Sequence, residues 1–286
     1  PSSLSPFVVH YLHNGDRFRS PFRHLPEAEF NAVIADDLRE VIATCTAGDV
    51  AALIAEPIQG VGGFTVPPDG FFGALQDVLR EHGILFISDE VQTGWGRTGE
   101  HFWGYQAHGV APDALTFAKG LGNGLPIAGV IARGDLMDGI HASSISTFGG
   151  NPLVCAGAAA NLRYLLDHDL QANALARGAQ VRAALDPLVG SAGIVGDVRG
   201  KGLMLAVEMV GPDGRTPNPD AAAAVLEETR RRGLLVGKGG LFGNCLRIAP
   251  PLSLPPEQAE SGSRILVEAI EAIEAVDAAA GGPSRG

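Results

Sequence analysis

Apolar residues in the first half of the chain follow two patterns. Some repeat at helical spacing, and others form uninterrupted runs. Spacings of three and four residues predict helices over residues 27–46 and 71–82. Continuous apolar runs predict strands over residues 7–11, 50–55, 84–88 and 127–132. A strand, a helix and a second strand in this order form a right-handed crossover unit, which is typical of an α/β sheet.

The pattern changes near residue 190. Helices are predicted over residues 153–168 and 170–185, and small residues at 190–193 mark a boundary. Beyond it, strands are predicted at 195–199, 203–209, 234–236 and 245–248, with helices at 220–232 and 257–275. We therefore expect two domains, residues 1–190 and an α+β domain over 191–286, with a disordered tail at 281–286.

Composition restricts the class of protein. Of the 286 residues, 45% are hydrophobic and 19% are charged, which is typical of a globular chain with a sizeable core. The formal net charge of −11 argues against nucleic acid as a partner. No apolar run is long enough for a membrane span, and the first residues lack the pattern of a signal peptide. Three widely spaced cysteines give no disulfide framework, so we expect a cytoplasmic protein.

Two charged residues follow predicted strands. Asp89 comes directly after residues 84–88, and Lys119 follows the next apolar segment, residues 112–118. Ligands of parallel α/β sheets bind at the carboxyl ends of strands, so both side chains are expected to face one crevice. A carboxylate and an amine in one pocket suit pyridoxal phosphate, a cofactor with a basic ring nitrogen and an aldehyde.

Two other interpretations use the same residues. A strand that ends in Asp-Glu also occurs in magnesium-dependent ATPases, but no G-x-x-x-x-G-K-[ST] loop precedes Asp89. Lys119 followed by glycine is also compatible with the capped end of a helix. His10, His13 and His24 lack the spacing of metal ligands, so no metal site is predicted.

The segment 88–124 resembles the signature of the class-III, or ω-amino-acid, pyridoxal-phosphate aminotransferases. The shared features are Asp-Glu-Val at 89–91, a G-x-G-R-x-G loop at 94–99 and Ala-Lys-Gly at 118–120. Further matches lie at 56–60, 146–152 and 246–252, so the resemblance spans nearly the whole chain. It implies fold type I: a mostly parallel seven-stranded-type sheet with helices on both faces, followed by a small α+β domain.

The resemblance also implies roles for single residues. Lys119 would bear the cofactor and act as general base and acid, while Asp89 would keep the cofactor's ring nitrogen protonated. Val91 would pack on the ring, and Gln92 would reach its phenolic oxygen. Thr147 would contact the phosphate of the cofactor in the other subunit, which implies a homodimer with shared sites.

Arg247 is the candidate for binding the substrate. It lies within a predicted apolar strand, where an unpaired charge is costly, and a guanidinium suits a carboxylate. The resemblance implies that Arg247 holds the substrate carboxylate and pairs with Glu56 when substrate is absent. From the sequence alone, a structural ion pair for Arg247 and a solvated carboxylate for Glu56 remain alternatives.

The expected reaction is transfer of an amino group from an amino acid to an oxo acid. Residues 237–244 are most similar to the branch that uses alanine or β-amino acids with glyoxylate or pyruvate, although 2-oxoglutarate-dependent members share the core motifs. Relatives extend further at the N-terminus, where they carry a phosphate loop and a ring-stacking aromatic residue that this sequence lacks. The alternatives are an aminomutase of the same fold and a truncated chain that cannot hold the cofactor.

Overall fold

A computed structural model describes residues 8–141, 145–190 and 193–280, with side chains as far as residue 276. The helices are α1 (Glu27–Cys45), α2 (Phe71–Glu81), α3 (Gly134–Asp138), α4 (Pro152–Asp167), α5 (Leu170–Leu185), α6 (Pro219–Arg231) and α7 (Pro256–Ala280). The strands are β1 (Ala52–Ala55), β2 (Leu85–Asp89), β3 (Ala114–Phe117), β4 (Gly129–Ala132), β5 (Val195–Lys201), β6 (Met204–Met209), β7 (Gly237–Gly239) and β8 (Cys245–Ile248). None of the described helices is long and apolar enough to cross a membrane.

The first sheet confirms the predicted α/β class. Its strand order is β1-β2-β3-β4, with β1, β2 and β3 parallel and β4 antiparallel to β3. The connection from β3 to β4 holds a short 3₁₀ turn, Lys119–Leu121, in place of a crossover helix, so β4 returns antiparallel. Helices α1 and α2 cover one face through buried side chains that include Phe30, Ile34, Phe72, Leu79 and Phe86.

This sheet is smaller than the seven-stranded type that the resemblance implies. The described residues give it four strands, because the strands that follow β4 pair with one another in a second sheet. Among the described residues, helices α1 and α2 cover one face of β1 and β2, and no helix packs on the other face next to Ile54. Ile54 lies on the face opposite α1 and α2 and is 60% exposed.

The second sheet has the order β5-β6-β8-β7, and all its described pairs are antiparallel. Its core joins the sheet to helices α5, α6 and α7 through buried residues that include Val181, Leu185, Val207, Val225, Leu246 and Ile270. Helix α5 precedes residue 190 in the sequence but packs into this core. The domain boundary between residues 190 and 191 stays a prediction.

Two predicted strands differ in the structure. Residues 8–11 form no strand, since Val8 and Tyr11 are exposed and no neighbouring strand pairs with them in the described chain. The strand predicted at 234–236 lies three residues later, at β7, where Gly237 pairs with Arg247. Residues 191–192 and the expected tail at 281–286 lie outside the described residues.

Candidate active site

Two adjacent acids at the end of β2 have different surroundings. Asp89 is half-buried, and its Oδ1 accepts a hydrogen bond from the amide of Val91 at 3.1 Å. Glu90 is fully buried, and its carboxylate accepts hydrogen bonds from Ser88 Oγ (3.0 Å), Thr93 Oγ1 (2.6 Å) and the amides of Gly104 (2.8 Å) and Tyr105 (2.8 Å). Glu90 therefore fixes the loop after β2, while Asp89 keeps carboxylate oxygens available for a ligand.

Lys119 follows β3, the strand that pairs with β2. Its side chain is exposed, and its φ of +39° lies in the left-handed region that residues other than glycine rarely adopt. The amide of Gly122 donates to the carbonyl oxygen of Lys119 at 3.1 Å and closes the turn. Asp89 pairs in register with Thr116, three residues before Lys119. The carboxylate and the amine therefore leave the carboxyl ends of neighbouring parallel strands. That both face one crevice stays a prediction.

Glu56 is a third charged group at this edge, directly after β1. Its carboxylate is half-buried and accepts a hydrogen bond from the amide of Gly60 at 2.9 Å. Burial raises the pKa of Glu56, and the negative charge of Asp89 adds to the increase. The Gly60 hydrogen bond and the positive charge of Lys119 lower the pKa and only partly offset these effects.

Arg247 reaches the same loop from β8 in the second sheet. Its Nη1 donates to the carbonyl oxygen of Gly60 at 3.4 Å, and its Cζ lies 5.5 Å from the ring centroid of Phe64. Its Nε is buried and has no hydrogen-bond partner among the described residues. The ion pair with Glu56 that the resemblance implies is not formed among the described residues, where the Glu56 carboxylate accepts from the Gly60 amide.

Two cavities flank these residues. A cavity of about 320 Å³ is lined by Lys119, Val91 and Gln92, three of the predicted cofactor-binding residues. A second cavity of about 380 Å³ is lined by Arg247. Phe64, Gln92 and Ala249 line both cavities, so they form the wall between them.

Asp89, Glu56 and Thr147 lie outside the linings of both cavities. Asp89 and Lys119 nevertheless lie near Glu56, since the charges of both affect the pKa of its carboxyl. Thr147 lies in an exposed loop that precedes α4. Its expected contact with another subunit stays a prediction.

The residues around the smaller cavity fit pyridoxal phosphate. An exposed amine on the wall and a carboxylate at the neighbouring strand end match the two reactive ends of that cofactor. A volume of about 320 Å³ is in the range of small-molecule sites. Gly60 also fits this arrangement, since a Cβ there would lie 1.8 Å from Gln92 Nε2 and displace that side chain.

Arg97 is a residue of this site for which the sequence analysis predicted no role. It lines the smaller cavity, and its Nη1 donates to the carbonyl oxygens of Leu203 at 3.2 Å and Pro250 at 2.5 Å. Burial lowers the pKa of Arg97 to about 10. Arg97 thus joins the loop after β2 to the second sheet. Its position in the G-x-G-R-x-G loop was the available signal, whereas Phe64 had none.

Comparison with known proteins gives consistent matches. The family described as Aminotransferase class-III matches residues 5–270. The chain is 39% identical over 265 residues to alanine–glyoxylate aminotransferase 2 homolog 2, mitochondrial, of Arabidopsis thaliana, covering 92% of this chain and 54% of that protein. It is 43% identical over 223 residues to an alanine/serine racemase of Pyrococcus horikoshii, covering 78% of this chain and 47% of that protein.

The fold matches solved structures of transaminases. One is an amine transaminase from an uncultivated Pseudomonas species in its PLP-bound form, with a TM-score of 0.82 and 37% identity. The match covers 93% of this chain and 61% of that structure. The chain spans about half the length of the curated relatives it matches.

Proposed function

Because the chain belongs to the class-III aminotransferase family, whose members depend on pyridoxal phosphate, we propose that it forms the catalytic part of a pyridoxal-phosphate-dependent aminotransferase. The enzyme transfers an amino group from an amino acid to an oxo acid. The observation that carries this proposal is the position of Lys119, which follows a strand and has a left-handed backbone conformation. It lines a cavity with Val91 and Gln92, beside the strand that ends in Asp89.

The residues of this chain divide the chemistry between them. When bound, pyridoxal phosphate supplies an electron sink for the negative charge that develops at the reacting carbon of the substrate. The Lys119 amine would hold the cofactor and then carry the proton to and from that carbon as general base and acid. The Asp89 carboxylate would hold a proton on the ring nitrogen. Val91 and Gln92 would contact the ring and its phenolic oxygen.

Arg247 would bind the substrate carboxylate. Its guanidinium has no ion pair among the described residues, so its charge is available to a carboxylate. Glu56 lies across Gly60 from Arg247. We propose alanine or a β- or ω-amino acid as donor, and glyoxylate, pyruvate or 2-oxoglutarate as acceptor.

We further propose a cytoplasmic homodimer with shared sites, in which Thr147 contacts the cofactor phosphate of the other subunit. Apolar side chains flank Thr147: Ile145, Phe148 and Leu153 are 91%, 81% and 74% exposed in the single chain. An exposed apolar group of this kind marks an interface more often than a free surface.

The experiment starts from the purified protein with pyridoxal phosphate, followed by absorbance and borohydride reduction. We expect a visible band that reduction removes, and peptide mass spectrometry should place the reduced cofactor on Lys119. Lys119→Ala should lose the band and all amino-group transfer. Transfer retained by Lys119→Ala would refute the assignment.

A second candidate is isomerisation without transfer, either racemisation or an aminomutase reaction. The 43% identity to an alanine/serine racemase motivates it, since one lysine amine can remove and return a proton on the same substrate. The two reactions differ in their need for an oxo acid. Turnover of the amino acid that is unchanged when all oxo acid is removed would favour isomerisation.

A further inference from the structure

A buried group of charges lies in the second sheet, away from both cavities. Arg199 in β5 and Glu208 in β6 are 9% and 2% exposed, and Arg199 Nη1 lies 2.5 Å from Glu208 Oε2. Arg199 Nη1 also donates to Asp197 Oδ2 at 2.9 Å, and Arg19 Nε donates to Glu208 Oε1 at 2.5 Å. Two cations thus face two carboxylates, and the nearby carboxyl of Asp16 interacts with the same charges.

Arg199 also forms a hydrogen bond outside this group, to the loop that follows β1. Arg199 Nε donates to the carbonyl oxygen of Gly63 at 3.0 Å, in the loop that follows β1. Gly63 has a φ of +99°, and a Cβ on it would lie 2.8 Å from Cys245 Sγ. The amide of Gly240 donates to the carbonyl oxygen of Val61 at 3.0 Å. Residues in and next to the second sheet therefore hold the loop at three carbonyl groups, those of Val61, Gly63 and, through Arg247, Gly60.

The residue after Gly63 connects this loop to the candidate substrate site. Phe64 is buried and has a φ of +52°, a conformation that an aromatic residue keeps only when its surroundings hold it. Its ring lies 5.5 Å from Arg247 Cζ and lines both cavities. At the other end of the loop, the Gly60 carbonyl accepts from Arg247 Nη1.

We propose that Arg199 is a positioning residue for carboxylate recognition. Held by Glu208 and Asp197, it fixes the Gly63 carbonyl, so that the Phe64 ring stays against the guanidinium of Arg247. Arg247 is then kept beside Phe64, in the lining of the larger cavity. Binding of amino and oxo acids, which carry a carboxylate, therefore depends on Arg199. Binding of simple primary amines does not. This inference rests on the proposed function, because it takes Arg247 as the group that binds the carboxylate.

The test uses Arg199→Lys in the protein expressed from its full reading frame. Lysine keeps a cation beside Glu208 but has no Nε–H for Gly63. We expect KM for carboxylate-bearing donors to rise about tenfold, as the loss of an aromatic contact to a cation predicts, with little change in kcat. Benzylamine, a donor without a carboxylate, should keep its KM. A binding readout free of turnover is the Kd of propionate by calorimetry, which should rise by a similar factor.

Two further variants complete the design. Phe64→Leu removes the aromatic contact to Arg247 and leaves the buried charges unchanged. It should raise both the KM for carboxylate-bearing donors and the Kd of propionate. Arg19→Lys is the matched control, since Arg19 also bonds to Glu208 but does not contact Gly63. It should leave the ratio of KM between alanine and benzylamine unchanged.

Each outcome decides the inference. An unchanged propionate Kd in Arg199→Lys, or an equal loss for benzylamine and carboxylate donors, overturns the positioning role. If Arg199→Lys does not fold, the propionate Kd of Phe64→Leu decides alone, and no change there overturns the inference. If the unsubstituted protein neither binds propionate nor transfers an amino group, the proposed function fails and takes this inference with it.

Discussion

The two carboxylates that follow β2 have different roles, one in stability and one in the proposed chemistry. Asp89 and Glu90 are adjacent, yet the Glu90 carboxylate accepts four hydrogen bonds while buried and Asp89 accepts one. In Glu90→Gln, an amide NH₂ would face amide and hydroxyl donors. Because buried donors then lose their acceptor, we expect the free energy of unfolding to fall by about 2–4 kcal/mol.

Asp89→Asn is the matched variant for this prediction. Its Oδ1 can still accept from Val91, so we expect unfolding in urea to change by less than about 1 kcal/mol, together with a loss of amino-group transfer. Equal destabilisation by both variants would contradict the division of roles.

The pKa of Glu56 gives a pH-dependent prediction. Burial raises this pKa above its ordinary value of 4.5, so the folded state holds the proton more tightly than the unfolded state. Stability therefore falls as pH rises through the window between the ordinary and the raised pKa. Glu56→Gln removes this penalty and keeps an acceptor for the Gly60 amide. We expect its Tm to exceed that of the unsubstituted protein at pH 7, with the gain disappearing below about pH 4.

Asp213→Asn should show the opposite sign in the same titration. Hydrogen bonds from Thr216 and Arg215 lower the pKa of Asp213 to about 2, so its ionised form stabilises the fold above the ordinary aspartate pKa. The variant should therefore melt below the unsubstituted protein at pH 7 and approach it at low pH. A gain for Asp213→Asn at pH 7 would contradict the sign assigned to Asp213, and a loss for Glu56→Gln at pH 7 would contradict the sign assigned to Glu56.

The sequence predicted Asp89 and Lys119 because a strand end is a local feature of the chain. It predicted neither the role of Glu90 nor that of Phe64. Those roles depend on the amides of Gly104 and Tyr105 and on Arg247, which are distant in sequence. Residue type alone carries no signal for such contacts.

At the scale of elements, the loop after β2 is packed tightly against α5. A Cβ on Gly99 would lie 2.6 Å from the backbone nitrogen and Cα of Leu175, and Gly99 has a φ of +76°. Backbone atoms of a helix cannot yield as a flexible side chain can. We expect Gly99→Ala to lower the free energy of unfolding by about 2–4 kcal/mol, measured by urea denaturation.

Gly109→Ala is the control that measures the cost of backbone strain without a packing clash. Gly109 has a similar φ of +64°, but a Cβ on it would meet nothing within 4 Å. Its substitution should cost about 1 kcal/mol for the left-handed backbone alone. If both alanine variants are equally destabilised, backbone strain rather than contact with α5 explains the requirement for glycine at residue 99.

The elements show where patterns in the sequence are sufficient. Helix α1 was predicted to within one residue because its buried side chains repeat at helical spacing and face one core. Strand β7 was misplaced because it consists of two glycines and a lysine, held by pairing with β8, while the apolar Leu235 before it is 82% exposed. Strand pairing at a sheet edge is a tertiary property that apolar runs do not report.

At the scale of the whole molecule, two sheets meet at the candidate site. Glu56, Asp89 and Lys119 come from the first sheet, and Arg247 comes from the second. Arg97 and the loop at Gly60–Gly63 make hydrogen bonds across the junction. The distance between the Lys119 amine and the Arg247 guanidinium is therefore set by contacts between the two sheets. This explains why the sequence predicted these residues but not that the ion pair between Arg247 and Glu56 is absent.

The proposed dimer makes the last prediction. Phe148 is 81% exposed beside Thr147, and a second subunit would bury it. Loss of one buried aromatic anchor commonly weakens an interface by at least about tenfold, so Phe148→Ser should raise the dimer dissociation constant by that factor or more. Sedimentation measures this constant, and Val276→Ser, at a 62% exposed position on α7, is the control. Since Thr147 is proposed to act across the interface, cofactor affinity in Phe148→Ser should fall with dilution as the dimer dissociates. A dimer that tolerates Phe148→Ser, with unchanged cofactor affinity, would place the interface elsewhere.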